Sequence, residues 1–485
     1  MRRKTTQIAA LALTAATALS LVGCGGGSTS SAANATNASA SSAPSASSAP
    51  ATQEGKVLNI WCWNDEFQGR FNTYYPEVKE VAKDKSTTTL KNGITVKWTI
   101  NPNEHNNYQN KLDQALMQQE STEQDKKIDM FLMEADYALK YANSDFTLDV
   151  KKDVGLTDDD LAQQYKYTQD VVTSKDGALK GVSWQATPGL FAYRRSYAKN
   201  IFGTDDPAKV QEQLSDWNKF DAAAEKAKAK GYYMLSGFAD SFRTFSNNMS
   251  APWVTGTTVT VDPMLMKWVE QTKKYTEKGY NHKATGLFDC QQWTADQGPT
   301  SKVFGFFYST WGINFTLMGN SLKTPKDQGG KEEVGNGAFG DWAVCQGPAS
   351  WYWGGTWLTA CKGTDNIETI RDIMKKLTCD KDIMKKITLK EQDYTNNKAA
   401  MEEVASSDFK SDFLGGQNHI KLFTEVAPKI NMKNITAYDQ GCNEAMQTQF
   451  ADYFNGTVDL AKAKANFEQT VKETYPEITE VKWPS

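Results

Sequence analysis

The sequence predicts an α/β protein with mostly parallel sheets flanked by helices and with a mostly helical C-terminal part. The main observation is that short aromatic and β-branched runs alternate with helical segments, which is typical of β-α-β units. The second observation is size, since 485 residues with 39% hydrophobic positions allow about three ordinary domains or two large ones.

The first half of the chain contains the clearest strand patterns. Residues 57–63 (VLNIWCW), 94–100 (ITVKWTI) and 128–133 (IDMFLM) each have the composition of a buried strand. A helical segment follows the first of these to about residue 84, and residues 104–119 place Leu112, Ala115 and Leu116 on one helical face. This spacing predicts strands that run parallel to one another.

The second half of the chain begins with strands and ends with helices. Asp262 and Pro263 have the residue types of an N-cap and a first helical turn, and Gly279 that of a left-handed C-cap. Residues 303–308 (VFGFFY) predict a further buried strand. After residue 360 the pattern is helical to the end of the chain.

The N-terminus has the pattern of an export signal. Residues 2–4 are basic, and the apolar run at residues 8–22 is too short to span a bilayer comfortably but is typical of a signal-peptide core. The run ends in LVGC at residues 21–24, which resembles the bacterial lipobox. We therefore expect a lipoprotein signal peptide at residues 1–23 and lipidation of Cys24, with a plain signal peptide as the alternative.

The segment that follows Cys24 predicts a tether. Residues 25–55 are almost all Gly, Ser, Ala, Thr, Asn and Pro, and such a composition buries too little apolar surface to fold. We therefore expect residues 24–55 to be a flexible link between the outer face of the cell membrane and the folded part of the chain.

Charge and histidine content argue against several classes of protein. The chain has 54 Lys and Arg against 58 Asp and Glu, so a nucleic-acid partner is not expected. Its 3 histidines have no metal-binding spacing, and we expect no metal site. Residues 335–340 match GxGxxG without the flanking strand and helix, so no dinucleotide or other cofactor is expected.

Apart from Cys24, the chain contains six cysteines. They are Cys62, Cys290, Cys345, Cys361, Cys379 and Cys442. An oxidising compartment permits disulfides, and a Cys361–Cys379 bridge would be tested first because these residues flank a predicted helix. Isolated buried thiols are the alternative.

Aromatic side chains stand beside amides and carboxylates where predicted strands end. The candidates are Trp63, Asn64, Asp65, Glu66, Glu134, Asp136, Trp184, Gln185, Trp311, Trp351, Trp353 and Gly354. In open α/β sheets, ligands bind beyond the carboxyl ends of the strands. A neutral sugar fits this lining, because its C–H faces stack on indole rings and its hydroxyls bond to carboxylates and amides.

Each candidate also has a purely structural interpretation. The alternation in residues 351–357 (WYWGGTW) predicts that some of these rings face a core, and one or two are expected to touch a ligand. Glu66 and Asp136 are also suited to helix capping. Trp61, Trp98 and Trp268 lie inside strand or helix patterns and are assigned to the core.

The order of several segments resembles a known family. The lipobox and tether are followed by WCWND, IDMFLMEADYALKYA, QATPGLFAYRRSYAKNIFG, YSTWG and GDWAVCQGPASWYWGGTW. Together they resemble the extracellular carbohydrate-binding lipoproteins of ATP-binding-cassette (ABC) importers, the solute-binding family 1 that includes maltose-binding protein. The resemblance implies a two-lobed periplasmic-binding-protein-like fold that holds a sugar, expected to be an oligosaccharide, between its lobes.

The resemblance also implies domain boundaries. The first lobe would comprise residues 56–185 with 341–405, and the second lobe residues 186–340 with 406–485. The resemblance places the first-strand polar residues at Asn64 to Glu66, the acidic residue after a later strand at Glu134 or Asp136, and stacking rings at Trp311 and Trp353.

The resemblance further implies a binding protein and not an enzyme. Its partners would be a carbohydrate and the transmembrane subunits of an ABC permease, and we expect a monomer. The main alternative is a tethered glycoside hydrolase, which needs two carboxyl groups about 5–10 Å apart. A surface adhesin without a permease is the second alternative.

Overall fold

The computed structural model describes residues 54–288 and 290–484. The predicted signal peptide, Cys24 and nearly all of the predicted tether lie outside the described residues.

Fifteen strands lie within the described residues. They are β1 Val57–Cys62, β2 Val78–Val81, β3 Thr87–Leu90, β4 Thr95–Ile100, β5 Met130–Glu134, β6 Val182–Ser183, β7 Gly189–Arg194, β8 Leu235–Gly237, β9 Val254–Thr255, β10 Thr258–Thr260, β11 Asn281–Ala284, β12 Gly305–Ser309, β13 Trp342–Cys345, β14 Thr356–Ala360 and β15 Glu480–Lys482.

Within the described residues, the part of the chain after β14 contains six of the α-helices and one short strand, so it is mostly helical, as predicted. The α-helices of the described residues are α1 Glu66–Tyr74, α2 Asn107–Met117, α3 Ala138–Ala142, α4 Asp158–Leu161, α5 Lys166–Asp170, α6 Arg195–Phe202, α7 Pro207–Leu214, α8 Trp217–Ala229, α9 Phe242–Ser246, α10 Pro263–Lys278, α11 Gln291–Asp296, α12 Thr310–Gly312, α13 Met318–Ser321, α14 Ile367–Thr378, α15 Lys381–Glu391, α16 Lys398–Ala405, α17 His419–Val426, α18 Asp439–Asn455 and α19 Leu460–Thr474.

The first lobe is built on a sheet with the order β2-β3-β4-β1-β5-β14-β6. Its centre is parallel, because β1 pairs with β4 and β5 in the parallel sense. Leu58, Ile60 and Cys62 of β1 are fully buried, as their alternation predicts. The carboxyl ends of β1 and β5 therefore meet at one edge of this sheet.

The second lobe is built on a sheet with the order β12-β7-β13. A parallel bridge between Tyr233 and Val303 joins it to the parallel pair of β8 and β11. A separate core, formed mainly by α10, α18 and α19, includes Trp253, Trp268 and Phe467. Asp262 caps α10 by accepting a hydrogen bond from the Met264 N–H at 2.8 Å, as predicted.

The α/β class and the two-lobed fold are confirmed, but several strand pairs of the two main sheets are antiparallel. β14 pairs antiparallel with β5 and β6, and β7 pairs antiparallel with β12 and β13. These antiparallel strands adjoin the segments that cross between the lobes, so they enter each sheet from the opposite end. β13, which a boundary at residue 341 assigns to the first lobe, instead lies in the second-lobe sheet.

Three chain segments run side by side where the lobes meet. The central segment bonds to one neighbour through the Gly189 N–H, which donates to the Trp351 carbonyl at 2.7 Å. It bonds to the other through the Asn396 N–H, which donates to the Trp184 carbonyl at 2.7 Å. These hydrogen bonds make the crossing a small three-stranded hinge.

Two local predictions differ from the structure. The helix expected up to residue 84 ends at Tyr74, because β2 and β3 form an antiparallel hairpin at the sheet edge. The Cys361–Cys379 bridge is also wrong, since both residues are free cysteines. Burial raises the pKa of the Cys379 thiol to about 11, which keeps it protonated at neutral pH.

Candidate functional site

The first-lobe side of the candidate site is formed at the carboxyl ends of β1 and β5. Trp63 follows β1, and its ring packs edge-on against Tyr108 and Tyr137, with centroids 5.7 Å and 6.3 Å away. Asn64 accepts a hydrogen bond from the Glu66 N–H at 3.1 Å. The Trp63–Tyr137 contact follows from sheet topology, which places the ends of β1 and β5 side by side, whereas the Asn64–Glu66 hydrogen bond is a local turn.

The second-lobe side is formed by Trp311, which follows β12, and by Trp353 at the hinge. The Trp311 indole N–H donates to the Trp353 carbonyl at 3.0 Å, and the two rings lie 5.2 Å apart at 67°. Gly354 has a φ of 72°, a conformation that favours glycine. A Cβ at this position would lie 2.8 Å from Trp311 Nε1.

A cavity of about 330 Å³ lies between these two sides, which is within the usual size range for small-molecule sites. Its lining includes these predicted residues: Trp63, Asn64, Glu66, Glu134, Asp136, Gln185, Trp311, Trp353 and Gly354. The structure thus brings together residues that lie almost 300 positions apart in the chain. We call this cavity the first compartment.

Two tryptophans predicted to touch a ligand lie in the core instead. Trp184 is 1% exposed and stacks on Phe67 with centroids 5.3 Å apart. Trp351 is also 1% exposed and packs edge-on against Phe307 at 5.9 Å. Both residues lie in the hydrogen-bonded segments of the hinge, and neither lines the first compartment.

Asp65 lies just outside the first compartment. It precedes α1, and its side chain lines a neighbouring cavity together with Glu66. Among the aromatic residues of the segment at 351–357, Trp353 is the one that lines the first compartment. The Trp357 indole N–H donates to the Thr168 carbonyl at 2.7 Å inside the first lobe.

Several lining residues carried no sequence signal. They are Asn103, Arg243, Phe288 and Phe315. Arg243 and Phe315 lie in short helical segments, and Phe288 in a loop, so no strand end marks them. Phe288 is 51% exposed and stacks on Trp311 at 5.7 Å and 29°.

Arg243 of the second lobe contacts Asp136 of the first lobe across the cleft. Its Nη1 and Nη2 groups donate to the two carboxylate oxygens at 2.8 Å and 2.5 Å. The guanidinium carbon also lies 5.4 Å from the centre of the Trp353 ring. A bidentate pair of this kind fixes both distance and orientation between the lobes.

A hinge glutamine connects the carboxyl groups of the cleft. Gln185 Nε2 donates to Glu66 Oε1 at 3.1 Å and to Asp393 Oδ2 at 2.9 Å. Thr310 of the second lobe donates to Asp393 Oδ1 at 2.6 Å. Residues at the lobe ends and at the hinge therefore share one hydrogen-bond network.

Burial controls the charge of the cleft carboxyl groups. It raises the pKa of Glu66 to about 7, although Arg70 and the hydrogen bond from Gln185 act in the opposite direction. Burial also raises the pKa of Glu134, and the neighbouring Asp136 adds to this rise. The Arg243 guanidinium opposes this rise, but its effect is smaller than that of burial. Part of the acidic lining is therefore neutral near pH 7.

Comparison with known proteins identifies the family. Residues 82–412 match the model of the bacterial extracellular solute-binding proteins. The chain belongs to this family. No curated protein sequence matches the chain.

Solved structures of solute-binding proteins share the fold at low sequence identity. An extracellular solute-binding protein of family 1 matches with a TM-score of 0.66 and 18% identity, over 88% of this chain and 100% of that one. The ABC-transporter-associated binding protein of B. animalis subsp. lactis matches with a TM-score of 0.63 and 15% identity, over 88% and 99%. The GacH receptor of Streptomyces glaucescens matches with a TM-score of 0.61 and 14% identity, over 87% and 99%.

This extracellular solute-binding protein therefore works outside the cytoplasm and captures a solute. Within residues 54–288 and 290–484, we find no helix with the length and apolarity needed to cross a membrane. The same residues contain no cluster of three or more potential metal ligands among His, Cys, Asp and Glu.

Proposed function

We propose that this protein binds a neutral sugar in the first compartment and delivers it to an ABC permease. The observation that carries the proposal is the pairing of chemistry across the cleft. Trp63 of the first lobe, Trp311 of the second lobe and Trp353 at the hinge provide ring surfaces, and Glu66 and Glu134 provide hydrogen-bonding groups. Sugars present C–H faces to rings and hydroxyls to carboxyl groups.

The ligands of the structural neighbours support the sugar assignment. The B. animalis protein is in complex with β-1,6-galactobiose, and the Streptomyces glaucescens receptor is in complex with acarbose. Both ligands are saccharides or saccharide analogues, and both proteins have the fold found here. We carry over the class of ligand and not its identity.

The mechanism follows from the position of the site between two lobes. A ligand that contacts both lobes binds the closed arrangement better than an open one, and it shifts the population by its differential affinity. Hinge closure of this type is well established among proteins with two lobes. The closed form would be the one that the permease recognises.

The decisive experiment is a binding screen of wild-type protein and a Trp353→Ala variant against mono- and oligosaccharides. A sugar that binds the native state raises the melting temperature with concentration. Trp353→Ala should weaken binding by about 1–4 kcal/mol, whereas Trp483→Ala should not, because Trp483 lies near the C-terminus and donates to Glu468. If no sugar binds wild-type protein, the proposal is wrong.

The fate of the sugar distinguishes a binding protein from the alternative, a glycoside hydrolase. A binding protein returns its ligand unchanged, so chromatography after long incubation should recover each bound sugar intact. Appearance of shorter products, with a bell-shaped pH profile, would favour the hydrolase.

We further propose that Cys24 carries the lipid anchor and that the protein acts as a monomer. The support is the apolar run at residues 8–22 that ends in LVGC. Cys24→Ala should move the protein from the membrane fraction to the medium, because acyl chains provide the membrane affinity. Light scattering on protein lacking residues 1–23 measures the oligomeric state.

A further inference from the structure

A second cavity adjoins the first compartment. It has a volume of about 680 Å³ and shares Glu66, Trp311 and Phe315 with the first compartment. We call it the second compartment. The two cavities are adjacent parts of one cleft, because three residues line both of them. The side chains of these three residues lie at the junction.

The second compartment has walls from both lobes. Gly69 and Arg70 lie on α1 of the first lobe, whereas Asn314 and Met318 follow β12 of the second lobe. A molecule that fills it would therefore contact both lobes, as a molecule in the first compartment does. The part of such a molecule in each compartment would therefore favour the closed arrangement of the lobes.

Three lining residues of the second compartment carry buried polar atoms that lack a hydrogen-bond partner among the described residues. They are Arg70 Nε, Asn314 Oδ1 and Gln392 Oε1. Buried polar atoms in native proteins are almost always paired, so these atoms call for water or ligand. One donor and two acceptors suit hydroxyl groups, which both donate and accept.

The charges of the second compartment favour a neutral ligand. Its lining has six acidic residues and three basic ones. The acidic residues are Asp65, Glu66, Glu332, Glu391, Asp393 and Asp412, and the basic residues are Arg70, Lys326 and Lys390. Arg70 already pairs with Glu391 at 3.0 Å, and Lys326 with Glu332 at 2.7 Å. A carboxylated or sulfated sugar would meet net negative charge here.

The junction residue Phe315 is 69% exposed. An aromatic side chain this exposed in a cleft lining is a ready surface for a ligand. It stands between the two compartments, next to Trp311 in the lining of both.

We propose that the second compartment holds additional sugar residues of a neutral oligosaccharide whose first residues occupy the first compartment, with Phe315 as the stacking surface at the junction. This inference rests on the proposed function and specifies its ligand class. Such a site would select for the chain length of the sugar, because a mono- or disaccharide would occupy only the first compartment.

Gly69 offers a direct test. Gly69 lines the second compartment, and a Cβ added there meets no atom within 4 Å, so a larger side chain would start from open space at the wall of this compartment. Leucine is also a better helix former than glycine. Gly69→Leu should therefore fold normally and occupy the space of the additional sugar residues.

The matched control is Gly319→Leu. Gly319 is also a helical glycine with no atom within 4 Å of an added Cβ, and it lines neither compartment. The probes are α-1,4-linked gluco-oligosaccharides and β-1,6-linked galacto-oligosaccharides, each offered from mono- to tetrasaccharide, with calorimetry as the measurement.

In wild-type protein and in Gly319→Leu, we expect affinity to rise by about tenfold or more between the disaccharide and the tetrasaccharide of the preferred linkage. Gly69→Leu should lose this rise while its disaccharide affinity stays within about twofold. Phe315→Ala should reduce the same rise.

The outcomes separate the inference from the proposed function. Absence of binding by every sugar in wild-type protein contradicts the proposed function. Sugar binding with no gain beyond the disaccharide, or with an equal gain in Gly69→Leu, overturns the assignment of the second compartment and leaves the first in place.

Discussion

Arg243 and Asp136 join the two lobes through a bidentate ion pair, with donor–acceptor distances of 2.8 Å and 2.5 Å. Their side chains are 20% and 23% exposed. A pair this sheltered is expensive to break on one side only, because the remaining charge is left without its partner. The pair is therefore a candidate for the contact that holds the closed arrangement.

Arg243→Gln should shift the ligand-free protein toward a more open arrangement and weaken sugar binding. The reason is that the pair spans the two lobes, so an opening of the cleft would separate it, and its removal should lower the population of the arrangement that binds. Small-angle scattering with and without ligand measures the opening, and calorimetry measures the affinity.

A double-mutant cycle with Asp136→Asn isolates the pair. If the two side chains act together, the coupling free energy should be about 1–3 kcal/mol. Additive effects of the two single variants would show that Arg243 acts independently of Asp136.

Trp353→Ala and Trp351→Ala should fail in different ways, although the residues are two positions apart. Trp353 lines the first compartment but is only 8% exposed, so its removal should weaken ligand binding and also lower the free energy of unfolding. Trp351 is 1% exposed in the core, and its removal should lower the free energy of unfolding by about 3–5 kcal/mol. Denaturant unfolding and calorimetry on the same preparations distinguish the two.

An equal loss of ligand affinity in both variants, measured on folded protein, would contradict this division. Trp184→Ala provides a second core reference, because Trp184 stacks on Phe67 at 5.3 Å. It should resemble Trp351→Ala and not Trp353→Ala.

These tryptophans show what could be predicted from sequence. The strand runs identify β1 and β5, and topology rules then bring Trp63 and Glu134 together at the sheet edge. Sequence reasoning fails for Trp184 and Trp351 because both lie in hinge segments. There, the direction of a side chain depends on hydrogen bonds to segments more than 150 positions away.

Arg243 shows the second limit of sequence reasoning. It lies on the five-residue helix α9, which has no strand end beside it. Its partner Asp136 is 107 positions away, so nothing local marks the contact. The β2–β3 hairpin escapes prediction for a similar reason, because β2 is mostly exposed and the hairpin joins the sheet only through the pairing of β3 with β4.

Glu66→Gln should remove part of the pH dependence of stability. Burial raises the pKa of Glu66 from 4.5 to about 7 in the folded protein. Between these two pKa values the folded protein retains a proton that the unfolded chain has lost. The free energy of unfolding therefore falls as pH rises through this range and stays lower above it.

The variant should gain stability relative to wild type as pH rises from 4 to 8, by about 1–3 kcal/mol. Denaturant titrations at several pH values measure this difference. Burial also raises the pKa of Glu134, Asp240 and Asp439, but these groups are common to both proteins and cancel in the comparison. Glu480→Gln, at an exposed site near the C-terminus, should run parallel to wild type, and a parallel curve for Glu66→Gln would contradict the assigned burial.

Gly354→Ala should disturb the first compartment through the backbone. Gly354 has a φ of 72°, which costs about 1–2 kcal/mol for a residue with a Cβ. The added methyl group would also lie 2.8 Å from Trp311 Nε1, the atom that donates to the Trp353 carbonyl at 3.0 Å. We therefore expect a modest loss of stability and a larger loss of sugar affinity, because both tryptophan rings depend on this contact.

Gly416→Ala, at a φ of 86° with no atom within 4 Å of the added Cβ, should show the backbone cost without the loss of affinity. Matching affinities in the two variants would show that the Trp311–Trp353 contact does not shape the site.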